Sequence, residues 1–87
     1  MQLIRDTYMT KHWNEMKYAL SLMTKAQRAN YFKHFKVEKT RWSDRLLDAL
    51  YLVAVDLHSQ SYAAKQFQMH KQEVNRAVKK YQAYLGG

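Results

Sequence analysis

The apolar residues of this chain recur at intervals of three and four, the spacing of one face of a helix. Met9, Trp13, Met16, Leu20 and Met23 are separated by four, three, four and three residues and predict a helix over roughly 7–23. Such a stripe serves either the chain's own core or a second copy, and Met9, Trp13, Met16 and Leu20 are its candidate dimer contacts. Thr24 with Gln27 three residues later has the capping-box pattern and predicts a second helix running to about Lys36. Its apolar residues Ala26, Ala29, Tyr31, Phe32 and Phe35 form no single stripe. Lys25, Arg28 and Lys36 project onto one side of it, where they would lie along a phosphate backbone or face water. Residues 37–42 read as a connector. Ser43 then caps a third helix, and Asp44 in its first turn complements the positive end of the dipole. Leu46, Leu47, Leu50, Val53, Ala54 and Leu57 give this helix a broad apolar face and make it the expected centre of the core.

From Gln60 to Lys80 the pattern is that of two short helices meeting across a sharp turn. Ala63, Ala64 and Phe67 line one face of the first, with Ser59 as its N-cap. Val74, Ala77, Val78 and Tyr81 line the second, which continues through Tyr84 and Leu85. Gln68-Met69-His70 joins them, and so short a turn forces a steep crossing at which the facing residue, Ala64, must be small. Phe67 and Met69 complete the apolar wedge. His70, followed three residues later by Glu73, is a weak capping arrangement for the second helix.

Composition narrows the fold class. The chain of 87 residues has no proline and only two glycines, Gly86 and Gly87, so it lacks the residues that tight hairpin turns require. The expected fold is an all-α compact bundle of about five helices ending in a helix-turn-helix. It would form a single domain over 1–87, with an N-terminal helix within 1–23, core helices over 24–57 and the helix-turn-helix over 59–85. A chain this short buries only about 60% of its unfolded surface, which leaves little room for a deep catalytic pocket.

Charge points to a partner. Fifteen Lys and Arg against seven Asp and Glu give a net charge of +8, suited either to a polyanion or to a solvated surface. The charge is segregated. Residues 24–42 carry six basic side chains against Glu38, and the chain from Leu57 onward carries Lys65, Lys71, Arg76, Lys79 and Lys80 against Glu73. Between them, Asp44, Asp48 and Asp56 face only Arg45, as expected if one side of the molecule meets nucleic acid.

Other chemistry is thin. With no cysteine, disulfides and thiolate zinc sites are excluded. His12, His34, His58 and His70 lack the spacing that puts two ligands on one helix face, so no metal is expected. No nucleophile elbow, phosphate-binding glycine loop or placed carboxylate pair occurs, and no enzyme activity, cofactor or small-molecule ligand is expected. Met1 to Arg5 do not lead into a long apolar run, and Asp48 and Asp56 interrupt the apolar segment from Leu46 to Leu57. The expectation is a protein with no membrane partner, in the cytoplasm.

Polar residues in the final helix have the geometry of DNA readers. Arg76 can offer a fork to guanine, Gln72 and Asn75 match adenine, and Lys71 reaches a base edge or a phosphate. With His70 these are the candidate base-reading residues. Gln60, Ser61, Lys65, Lys79 and Lys80 are the candidate phosphate contacts, which orient a module without reading sequence.

Two families of small bacterial regulators share features of this stretch. Ser43-Asp44-Arg45, an apolar helix, His58-Ser59 and then Gln68-Met69 resemble the order and spacing of the PapB/FocB-type regulators of fimbrial operons. Val74-Asn75-Arg76-Ala77-Val78 is similar to the recognition-helix region of the KorA/TrfB-type plasmid repressors. The resemblance covers about Ser43 to Tyr81, and Met23 to Trp42 loosely. It implies a bacterial, nucleoid-associated helix-turn-helix regulator of transcription acting on an operator as a dimer or higher oligomer. Asp56-Leu57 stands where the fimbrial regulators tend to have a glycine pair, and Gln68 stands where such turns often have glycine. A left-handed backbone at Gln68 would cost roughly 1 kcal/mol.

The expected function is therefore sequence-specific binding of double-stranded DNA, as a repressor because a chain this small has no second domain to recruit polymerase. The competing expectation is a small helical protein-interaction module whose basic face meets an acidic protein. RNA binding is less well supported, since no aromatic platform for unstacked bases is evident.

Overall fold

The computed structural model describes residues 13–86, which form five α-helices with no strand among the described residues. They are α1 (Trp13–Ser21), α2 (Lys25–Glu38), α3 (Asp44–Ala54), α4 (Gln60–Gln66) and α5 (Lys71–Gly86). The all-α fold expected from the sequence is the one observed.

Local chemistry sets the helix starts. Thr24 accepts from the Gln27 amide at 3.1 Å while the Gln27 side chain accepts from the Thr24 amide at 3.0 Å, so each satisfies an orphan donor of the other. The Ser43 hydroxyl accepts from the Leu46 amide at 3.2 Å, and that of Ser59 from the Tyr62 amide at 3.0 Å. At α5 the backbone carbonyl of His70 accepts from Glu73 and Val74. The His70 side chain makes no capping bond among the described residues.

The helix α3 occupies the centre, packed against α2, α4 and α5, while α4 and α5 pack on each other and α1 lies against α5. Leu47, Ala49, Leu50, Val53 and Ala54 of α3 are buried, as are Ala63 and Ala64 of α4 and Val74, Ala77, Val78, Tyr81 and Leu85 of α5. Alanines on α4 let its backbone approach its neighbours closely. Phe67 and Met69 pack on this core from its edge and stay half-buried.

Met16 and Leu20, two of the candidate dimer contacts, are fully buried within this same core. The intramolecular use of the α1 stripe thus takes them, and they offer no surface to a second copy in this conformation. Trp13 is half-buried, and Met9 lies outside the described residues.

The less regular face of α2 is resolved by aromatic packing. Phe35 meets Tyr81 edge-on at 4.9 Å, Tyr84 at 5.2 Å and Trp42 at 5.5 Å, and Phe32 meets Tyr51 at 5.5 Å. The positive ring edges point at negative ring faces, the arrangement that aromatic quadrupoles favour. Burial pushes the Tyr81 phenol well above its ordinary range, so it stays neutral, and its hydroxyl has no hydrogen-bond partner among the described residues. The tyrosines near the C-terminus thus serve mainly the core.

Among the described residues, two other than glycine adopt left-handed backbone: Leu57 at φ 60 and Gln68 at φ 52. They flank α4 on either side. At Gln68 the expected left-handed turn is present. At Leu57 the chain reverses out of α3, and the His58 amide donates back to the Leu52 carbonyl at 2.9 Å.

Candidate nucleic-acid interface

The unit formed by α4, residues 67–70 and α5 is held from beneath by α3 and at its entrance by α2. Arg28 spans that entrance. Its Nε donates to the Val55 carbonyl at 2.8 Å, and its Nη1 donates to the carbonyls of Met23 at 2.6 Å and Leu20 at 3.3 Å. Helix C-termini leave carbonyls unpaired at the negative end of the dipole, and one guanidinium serves the ends of both α1 and α3. Next to it, Lys25 Nζ pairs with Asp56 at 3.0 Å, and that hydrogen bond and charge raise the lysine pKa. Lys25 and Arg28, read from sequence as possible phosphate contacts, are thus engaged within the protein. The rings of His58 and Tyr62 meet at the first turn of α4, tilted to each other with centroids 4.4 Å apart.

Beyond this entrance the outer surface of α5 lies open. Lys71, Gln72, Arg76, Lys79 and Lys80 are exposed, and at 100° per residue Gln72, Arg76 and Lys79 fall on one side of the helix axis, away from Val74, Val78 and Tyr81. His70 is exposed at the end of the turn, and Ser61 and Lys65 are exposed on α4. Of the candidate reading and phosphate residues, these eight are accessible from solvent.

The other two, Asn75 and Gln60, are placed differently. Both are half-buried, and Asn75 Nδ2 donates to Gln60 Oε1 at 3.0 Å. The amide that the sequence offered to adenine is occupied in bridging α5 to α4. This bond fixes the two helices relative to each other, so both residues act in the free protein as a brace.

Around that brace lies a cleft of about 390 Å³ lined by Trp13 and Lys17 of α1, Ser59, Gln60 and Ser61 at the start of α4, and Lys71 and Asn75 of α5. A smaller depression of about 230 Å³ adjoins Lys71, Gln72 and Asn75. The sequence assigns Gln60 and Ser61 to phosphates and Lys71 and Asn75 to base edges, and it gives α1 no part in that surface. Trp13 and Lys17 stand one turn apart on α1, a spacing that marks a shared face without saying what it meets. Among the described residues no group of three or more His, Asp or Glu could hold a metal, and no helix is long and apolar enough to cross a membrane. Comparison with protein-family models, curated proteins and solved structures found no match to this chain.

Proposed function

We propose that α4 and α5 form a helix-turn-helix and that the protein is a sequence-specific regulator of transcription, a repressor that seats α5 in the major groove of double-stranded DNA. The observation that carries this reading is the division of α5 into two sides. Val74, Ala77, Val78 and Tyr81 are sealed in the core, while Lys71, Gln72, Arg76 and Lys79 stand in solvent near its N-terminal half. A recognition helix meets base edges with its N-terminal residues, and these side chains carry the donors that guanine and adenine edges accept. Lys65 and Lys80, exposed on α4 and the flank of α5, suit the phosphate backbone. The left-handed residues Leu57 and Gln68 lend support too, since both occupy positions where the resembling regulators tend to have glycine.

Operator binding by a dimer requires a surface that the core does not consume. Tyr18 and Leu22, 59% and 61% exposed and four residues apart, are that surface on the N-terminal side. A dimer predicts an inverted repeat whose half-sites lie about 34 to 36 Å apart, or a multiple of that spacing. The same two residues favour the second reading, a protein-interaction module, if they meet a different protein.

One experiment separates the two. Selection of duplexes from a random pool should return a symmetric motif, and affinity should fall log-linearly with salt. Absence of duplex binding at low salt overturns the DNA reading and leaves the interaction module.

A further inference from the structure

The cleft of about 390 Å³ between α1, α4 and α5 is lined by two lysines on separate elements, Lys17 and Lys71, together with Ser59, Gln60 and Ser61. Lys17 follows Trp13 by one turn on the side of α1 next to its buried Met16 and Leu20, so core packing fixes where that side faces. The Ser59 hydroxyl is committed to the Tyr62 amide, and the Gln60 Oε1 to Asn75. What remains for a ligand is mostly donors: the two ammonium groups, the Ser61 hydroxyl, the Gln60 amide hydrogens and the second Asn75 amide hydrogen, against the Asn75 Oδ1 as the uncommitted amide acceptor. Among the described residues that line it there is no carboxylate. A donor-rich, cationic, open cleft fits an anion whose oxygens lie in a row, and a strand of duplex DNA presents that arrangement.

From this we infer that α1 is a third DNA-contacting element, with Lys17 a phosphate contact and Trp13 packed along the adjacent sugar. The inference rests on the proposed DNA-binding function and extends its surface beyond α4 and α5. A phosphodiester held here would run across the N-terminal ends of α4 and α5 while the side chains of α5 reach the bases. The Asn75–Gln60 brace then sets the distance between the strand and the reading residues, because both amides sit at the cleft.

The test uses the full chain and duplex DNA across a salt series. Lys17→Gln is expected to reduce the slope of log affinity against log salt by about 0.9, one phosphate contact, and to weaken all duplexes alike by about eightfold at 0.1 M salt. Lys17→Arg should restore the slope. Lys33→Gln, an exposed lysine of α2 outside the cleft, should leave it unchanged. In parallel, the indole N–H resonance of Trp13 should move on adding duplex, while that of Trp42, half-buried against Phe35, stays. If the wild type binds duplex with a steep salt slope and Lys17→Gln matches it, the cleft assignment is overturned and the DNA reading stands. If the wild type binds no duplex, both fall together. If inorganic phosphate at the same phosphate concentration moves the Trp13 resonance as far as duplex does, the cleft is a small-anion site and not the seat of a strand. Movement with single-stranded RNA but not with duplex DNA also overturns the assignment.

Discussion

The chain has two strongly basic stretches, and their leading residues are used differently. In α2 the basic residues nearest its start work inward: Arg28 donates to the carbonyls of Leu20, Met23 and Val55, and Lys25 pairs with Asp56. In α5 the basic residues work outward, with Lys71, Arg76, Lys79 and Lys80 all exposed. Similar charge in the sequence thus hides different uses. What separates them is the presence of unpaired helix ends nearby. The C-termini of α1 and α3 converge on Arg28, and a guanidinium with several donors in a fixed fork reaches the carbonyls of both. No such ends meet the middle of α5.

The largest expected effect falls on the inward side. Arg28→Ala should destabilise the fold by about 2 kcal/mol, since it leaves part-buried carbonyls without their charged donor. Urea unfolding measures it, and Arg28→Lys should recover little, because an ammonium cannot span the same carbonyls. If Arg28→Ala unfolds at the wild-type midpoint, the clamp has no structural weight and the contrast with α5 collapses. Arg76→Ala, by comparison, should change stability by no more than about 0.5 kcal/mol.

On the outward side, Arg76→Ala should cost about 1–3 kcal/mol of discrimination between selected and random duplexes. Competition binding reads this directly. Equal weakening of every sequence would make Arg76 a phosphate contact and move the reading role to Gln72 and Lys71.

A smaller effect sharpens the distinction between paired and open lysines. Lys79→Gln should lower the salt slope by about 0.9, while Lys25→Gln, already engaged with Asp56, should leave the slope where it was. Salt-series titrations of the two variants decide this, and matching slopes would erase the difference between the stretches.

The smallest effect concerns the turn that joins the two helices. Gln68 is exposed at φ 52, so Gln68→Gly removes the Cβ conflict without losing packing and should raise stability by up to about 1 kcal/mol. Leu57→Gly relieves a similar conflict but gives up the packing of a half-buried side chain, and should gain less or lose. A higher unfolding midpoint for Gln68→Gly than for Leu57→Gly is the outcome to look for.

Much of the fold was legible along the chain. Thr24, Ser43 and Ser59 cap the helices expected of them, and the apolar face of α3 is the core it promised to be, because capping and burial follow from spacing that one helix already contains. The left-handed Gln68 was legible from the glycine that helix-turn-helix turns often carry at that position. The left-handed Leu57 was signalled only by the glycine pair at that place in the resembling regulators, since nothing in Asp56-Leu57 itself forces a reversal until α3 must end and α4 must pack across it.

The candidate interface was legible only in part. The exposed side of α5 follows from its periodicity, and so Gln72, Arg76 and Lys79 could be placed without a structure. Asn75 lies at the edge of that side, where a projection at 100° per residue cannot tell solvent from a neighbouring helix. Gln60 of α4 settles the matter by accepting its amide at 3.0 Å. Met16 and Leu20 show the same limit, since a helical stripe looks alike whether it meets the chain's own core or another copy.

By itself the sequence determined what depends on residues within a turn or two of each other: helix positions, caps, the apolar side of each helix and an excess of positive charge. Tertiary structure alone decided how distant groups share their bonding capacity. It spent Arg28 on helix ends, bound Asn75 to Gln60 and brought Lys17 of α1 to the cleft beside Lys71. The reason is physical: a side chain's donors go to whichever acceptors packing leaves unsatisfied, and those are known only once the helices are in place.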